Sequence, residues 1–120
     1  MKIVWASVFV LLSSCAAMPD VENLSQACQA KYRVDLPTGA TAAAPVPPLR
    51  IRPQPRGAGY ACVTISVSES GSVSDARLLE ASPPEFGEYF LTLVTQSRYR
   101  PAMLDRKPFA SRVVLSGTYQ

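Results

Sequence analysis

The sequence contains no histidine among its 120 residues. That absence removes histidine-based catalytic triads and histidine-containing zinc sites, which need imidazole as base or ligand. No glycine-rich loop running into Gly-Lys-Ser or Gly-Lys-Thr is present either, so the usual backbone cradle for nucleotide phosphates is missing. Long apolar runs are also lacking. The longest, Ile3 to Leu12, is interrupted by Ser7, and about ten residues fall well short of the roughly twenty that cross a bilayer as a helix. Charge is sparse: Asp, Glu, Lys and Arg make up 18% of the chain and the net charge is +3, too small an excess to argue for nucleic acid. A serine or aspartate acting with lysine would still be possible chemistry, but no spacing suggests it. The expectation is a protein with no catalytic residues, no metal and no cofactor.

What is present begins with Lys2 and the apolar run after it, which have the size and flank of a secretory signal core. The run ends in Leu12-Ser13-Ser14-Cys15, which resembles the lipobox of bacterial lipoproteins. The resemblance implies removal of residues 1–14 and a diacylglycerol on Cys15, a palmitate-bearing anchor that several acyl chains make permanent. The alternative is an ordinary signal peptide cut near Ala16-Ala17, with Cys15 incidental. Under enteric-type sorting rules, Ala16 after the cysteine implies the periplasmic face of the outer membrane rather than the inner membrane. The three cysteines fit that compartment. With Cys15 lipidated, Cys28 and Cys62 remain, and an oxidising periplasm allows them one disulfide; two separate buried thiols are the alternative.

From Asp20 to Tyr32 the apolar residues Val21, Leu24, Cys28 and Tyr32 recur at helical spacing, with Asp20 as N-cap and Glu22 in the first turn. Pro37, Pro45, Pro47, Pro48, Pro53 and Pro55 then forbid helix and central strand. This stretch reads as a semi-rigid polyproline spacer, reaching on the order of 50 Å at about 3.1 Å per residue. Arg50, Arg52 and Arg56 alternate along its end. The expected organisation is a signal peptide at 1–14, anchor, short helix and tether at 15–55, and a single domain at 56–120.

Within that domain Ala61, Val63, Ile65 and Val67 alternate with Cys62, Thr64, Ser66 and Ser68, the period of a half-buried strand. Gly71 sits in a turn and Val73 to Glu80 returns as a second strand. Ser82-Pro83-Pro84-Glu85 predicts a helix start capped by Ser82, and Phe86, Tyr89, Phe90, Leu93, Val94 and Ser97 form one helix face. Pro101 ends the helix, and a third strand closes the chain from Phe109 to Tyr119. The sum is an α+β fold: a small three-stranded antiparallel sheet with one packed helix (ββαβ), preceded by a short helix and a proline-rich tether.

The run Arg98-Tyr99-Arg100-Pro101-Ala102, followed by Asp105-Arg106-Lys107-Pro108-Phe109, resembles the signature of the TonB C-terminal domain. Gly59, Val63, Ile65, Val67, Gly71 and Val73 occupy the positions of that family's glycine-led strand, turn and second strand. The likeness covers residues 59–119, half of the chain. One departure is Arg52-Pro53-Gln54-Pro55, where the family has a Tyr-Pro pair. Another is the lack of the membrane helix and long spacer that its energy transducers carry, so the resemblance implies a binding end without the motor.

In that family an open sheet edge pairs with an extended segment of an outer-membrane protein. The resemblance therefore implies a lipid-anchored module contacting another envelope protein through the last strand, with homodimerisation through that strand also open. The expected contact residues are Arg112, Val113, Val114 and Leu115 on the strand, and Arg98 and Arg100 at the helix end. The strand's polar residues allow a merely guarded edge instead. Likewise Arg98, Arg100, Arg106, Lys107 and Arg112 form either a basic contact rim or a solvated, paired one. A rim that binds would suit the alternative function, a structural envelope lipoprotein touching peptidoglycan or an assembly subunit.

Overall fold

The computed structural model describes residues 20–120. In chain order these form helix α1 (Val21–Lys31), strand β1 (Ala44–Pro45), hairpin β2–β3 (Gly59–Val67 and Val73–Ser82), helix α2 (Pro84–Gln96), strand β4 (Tyr99–Arg100), hairpin β5–β6 (Ala102–Leu104 and Lys107–Phe109) and strand β7 (Ser111–Tyr119). The expected α+β architecture is present. Strands β3, β2 and β7 make an antiparallel three-stranded sheet in that order, and α2 packs on one face.

Alternation along β2 decides the layering. Ala61, Val63, Ile65 and Val67 point into the core formed with Phe86, Phe90 and Val94 of α2. Fully burying side chains of this size stabilises the fold by about 1.5–3 kcal/mol each. Tyr119 closes the end of this layer, its ring edge-on to Phe86 at 4.7 Å between centroids. Gly87 permits the tight approach of α2 to β3, because a β-carbon there would collide with Ala81 and Leu78.

The opposite face of the sheet is covered by α1. Asp20 caps this helix by accepting from the N–H of Glu22 at 3.1 Å. A disulfide joins Cys28 to Cys62, with α-carbons 6.4 Å apart. It closes a 34-residue separation, and a loop of that order contributes about 3–4 kcal/mol in the chain-entropy account. Ser116, Cys62 and Glu80 are cross-strand neighbours, and α1 crosses the strands along this row. Ser25 and Gln29 donate to Ser116 Oγ at 2.6 and 2.8 Å, and Lys31 Nζ reaches Glu80 at 3.6 Å. The buried stripe is accordingly Val21, Ser25 and Cys28, not the expected Val21, Leu24, Cys28 and Tyr32. Leu24 is exposed because the sheet face it would have met is itself hydroxyl-rich and selects Ser25.

Two further expectations are corrected. The proline-rich stretch is not a free spacer but a strap bound to the domain. Thr41 exchanges backbone hydrogen bonds with Met103 at 2.9 and 3.1 Å, and Val46 N–H donates to the Arg98 carbonyl at 2.8 Å. Between them β1 pairs with β4. Ala43 is buried, and Leu49 and Ile51 pack against the core. The prolines leave these interspersed apolar residues free to bury surface against the domain. The second correction concerns Ser82, which ends β3 rather than capping α2. Pro83 is the N-cap, without a side-chain cap hydrogen bond, and its carbonyl accepts from Phe86 N–H at 3.1 Å.

Candidate functional site

Strand β7 lies at one edge of the sheet, pairing with β2 through nine consecutive residue pairs without a register shift. A nine-residue strand offers an edge of roughly 30 Å at about 3.4 Å per residue. Among the described residues no backbone hydrogen bond joins it to any element other than β2. Its outward N–H and C=O groups thus form a regular row of unused donors and acceptors.

Beside this edge runs a groove of about 440 Å³ between α1, the chain that follows α1, and β7. Arg112, Val113 and Val114 line one side, and Ala30, Arg33, Val34 and Leu36 line the other. Val34 is 40% exposed, which leaves an apolar surface on that side. Two arginines and no carboxylate border the groove.

The side chains of β7 divide between the faces of the sheet. Val113 and Leu115, opposite Ile65 and Val63, pack against the α2-side core, so only their backbone is available at the edge. Arg112 turns to the other face and is tied down. Its guanidinium donates to Ser66 Oγ at 2.7 Å and Thr64 Oγ1 at 3.3 Å, and to the Asp75 carboxylate at 2.7 Å and carbonyl at 3.1 Å. It therefore spans β7, β2 and β3. Asp75 also accepts from Arg77 at 3.1 Å. The hydrogen bond from Arg112, then that from Arg77, holds the Asp75 carboxyl below its usual range.

Arg98 and Arg100 lie elsewhere. The backbone of Arg98 accepts from Val46, Arg100 is paired opposite Ala44, and both side chains are exposed. Arg98 lines a different groove, of about 360 Å³, formed by the strap and the end of α2. The expected contact residues are thus split between two places on the surface. Between them in sequence, Tyr99 is a core residue: its hydroxyl donates to the Val94 carbonyl at 2.8 Å, and burial pushes its phenol up to about 12.

Sequence reasoning missed the outer wall of the first groove. Arg33, Val34 and Leu36 belong to an irregular stretch with no periodic signal, and the docking of α1 through Cys62 and Ser116 places them near β7. Among the described residues no group of three or more His, Cys, Asp or Glu side chains could hold a metal ion, and no helix is long and apolar enough to cross a membrane. Cys15 and the apolar run before it lie outside the described residues. No protein-family model matches the chain, and no curated protein matches it in sequence.

Proposed function

We propose that this chain is a lipid-anchored periplasmic binding module, related to the TonB C-terminal domain, that captures an extended segment of another envelope protein by strand addition to β7. Cys15 carries the lipid, the outer membrane is its site, and the domain acts by binding rather than catalysis and needs no cofactor. It is not an energy transducer of the usual kind.

The observation that carries this reading is the edge of β7: regular over its whole length, unpaired on its outer side, and bordered by a groove with apolar residues on both sides. Main-chain pairing along such an edge supplies affinity, and the adjoining groove supplies side-chain selection. The same edge could instead pair two copies of the chain, since a two-fold axis across β7 would satisfy both rows at once.

The direct test is site-specific photo-crosslinking in the bacterial envelope. Probes at Val114 and Ser116 should capture a discrete partner identified by mass spectrometry, while probes at Ser74 and Arg77 on β3 should not. Equal capture from both edges would end the strand-addition reading, and capture of the chain by itself would convert it into a homodimer. Cys15→Ser should abolish incorporation of radiolabelled palmitate; unchanged labelling would remove the anchor.

A further inference from the structure

We propose that the face built by the strap and the outer side of α2 docks on an anionic phospholipid surface, with arginines at the phosphates and Val46 in the apolar boundary. This is a second contact surface, separate from the β7 edge and independent of strand addition.

Two adjoining grooves define the face. One, of about 360 Å³, is lined by Pro47, Pro48, Leu49, Arg50, Leu93 and Arg98, among others. The other, of about 330 Å³, is lined by Arg50, Arg52, Tyr89, Thr92, Leu93 and Gln96. Arg50, Leu93 and Gln96 border both, so the three arginines share one surface. No carboxylate lines either groove. The sequence from Leu36 to Ser68 contains no Asp or Glu, and Glu88, one turn before Thr92 on α2, reaches neither groove. Among the described residues Arg50, Arg52 and Arg98 make no salt bridge.

Arg52 is held in place. Its backbone N–H donates to the Tyr89 hydroxyl at 2.9 Å, and its guanidinium carbon stands 4.7 Å from the Tyr89 ring centroid. Such stacking orients the cation without neutralising it.

The apolar component separates a lipid surface from other polyanions. Val46 is 50% exposed and is followed by the exposed Pro47 and Pro48, on a strap whose backbone is pinned at Arg98. An exposed apolar side chain on a strap that also carries Arg50 and Arg52 matches the chemistry of the headgroup–acyl boundary. A hydrated glycan offers nothing for Val46 to enter.

Vesicle flotation tests the proposal, using the mature chain from residue 15 with Cys15→Ser, so that neither an acyl group nor the apolar run before it contributes. Partition onto phosphatidylglycerol-containing vesicles should exceed that onto phosphatidylcholine vesicles and fall as salt is raised. Each arginine neutralised should lower the anionic partition about fivefold, so Arg50→Gln with Arg98→Gln should lower it roughly 25-fold, while Arg77→Gln on β3 leaves it unchanged. Far-UV circular dichroism confirms that the variants are folded. Equal partition onto both vesicle types overturns the proposal, as does full binding by the double variant. Cosedimentation with purified peptidoglycan sacculi while vesicles float free would reassign the face to peptidoglycan.

Discussion

The two edges of the sheet both pair with β2 and arrive at opposite states. Strand β3 shifts register against β2 twice, between Cys62 and Val63 and again between Thr64 and Ser66. At the second shift Asp75 takes a φ of 48° and places its carboxylate between Arg77 and Arg112. Bulges and charge are the usual means of denying an edge strand a partner. Strand β7 has no register shift and no charged residue apart from Arg112, which is turned onto the sheet face. One edge is closed by its own irregularity, whereas the other keeps the geometry that a further strand requires.

The arginine–aspartate network connects these two states. Arg112 reaches from the regular edge across β2 to the bulge of the irregular one. Arg112, which borders the groove beside β7, is also a brace for the guarded edge. The regularity of β7 is left to its backbone and to Val113 and Leu115 in the core.

The largest effect on this contrast should come from removing the disulfide. Cys28→Ala with Cys62→Ala is expected to cost about 3–4 kcal/mol in urea denaturation. Hydrogen exchange should quicken in α1 while the β2–β7 pairing stays protected; a loss of protection across the whole sheet would show that α1 is integral to it. Next come proline substitutions on β7. Adjacent residues of an edge strand direct their N–H groups alternately toward the sheet and outward. Of Val113→Pro and Val114→Pro, one should therefore destabilise the fold by about 3 kcal/mol or more, and the other should leave the melting temperature nearly intact while abolishing partner capture. If both leave capture intact, the edge is not the binding surface.

A smaller effect follows from deleting Asp75, which removes the extra residue of one bulge and the anchor of Arg112. The regularised β3 should then self-associate, read as concentration-dependent sedimentation beyond that of the wild type, whereas Asp75→Asn, which keeps the bulge residue, should sediment as the wild type does.

The smallest is a pH effect. Because the Asp75 carboxyl is depressed in the folded state, its contribution is complete above the ordinary carboxylate range near pH 4 and is lost as pH falls through the lower folded value. Tyr99, raised to about 12 by burial, works in the other direction. Its contribution is complete below the normal phenol value of about 10 and fades between there and about 12. Denaturation midpoints across these windows should fall in the wild type, with Asp75→Asn removing the acid-side decline and Tyr99→Phe shrinking the alkaline one.

Much of the fold was legible because its main elements obey simple periods. The alternation from Ala61 to Val67 and the aromatic stripe from Phe86 to Val94 admit few other arrangements, and Pro101 marks where α2 must already have ended. The candidate edge was legible as the last strand. The bond from Arg112 to Asp75 was not, since parity alone does not reveal the bulge that places Asp75 there. Residues 41–52 were misread because proline content reports on what a segment cannot form. It does not report on whether Ala43, Leu49 and Ile51 will find a surface to cover.

By itself the sequence determined the α+β class, the central place of β2, the helix that covers it and the pairing available to two of the three cysteines. Those follow from local period, turn chemistry and counting, which each residue carries with it. Tertiary structure alone decided that α1 crosses the row of Ser116, Cys62 and Glu80, that the strap is docked, and that β3 is guarded while β7 stays open. Each of these depends on register between segments far apart in the chain, and a one-residue bulge in β3 resets that register without any sign in the periodicity on either side.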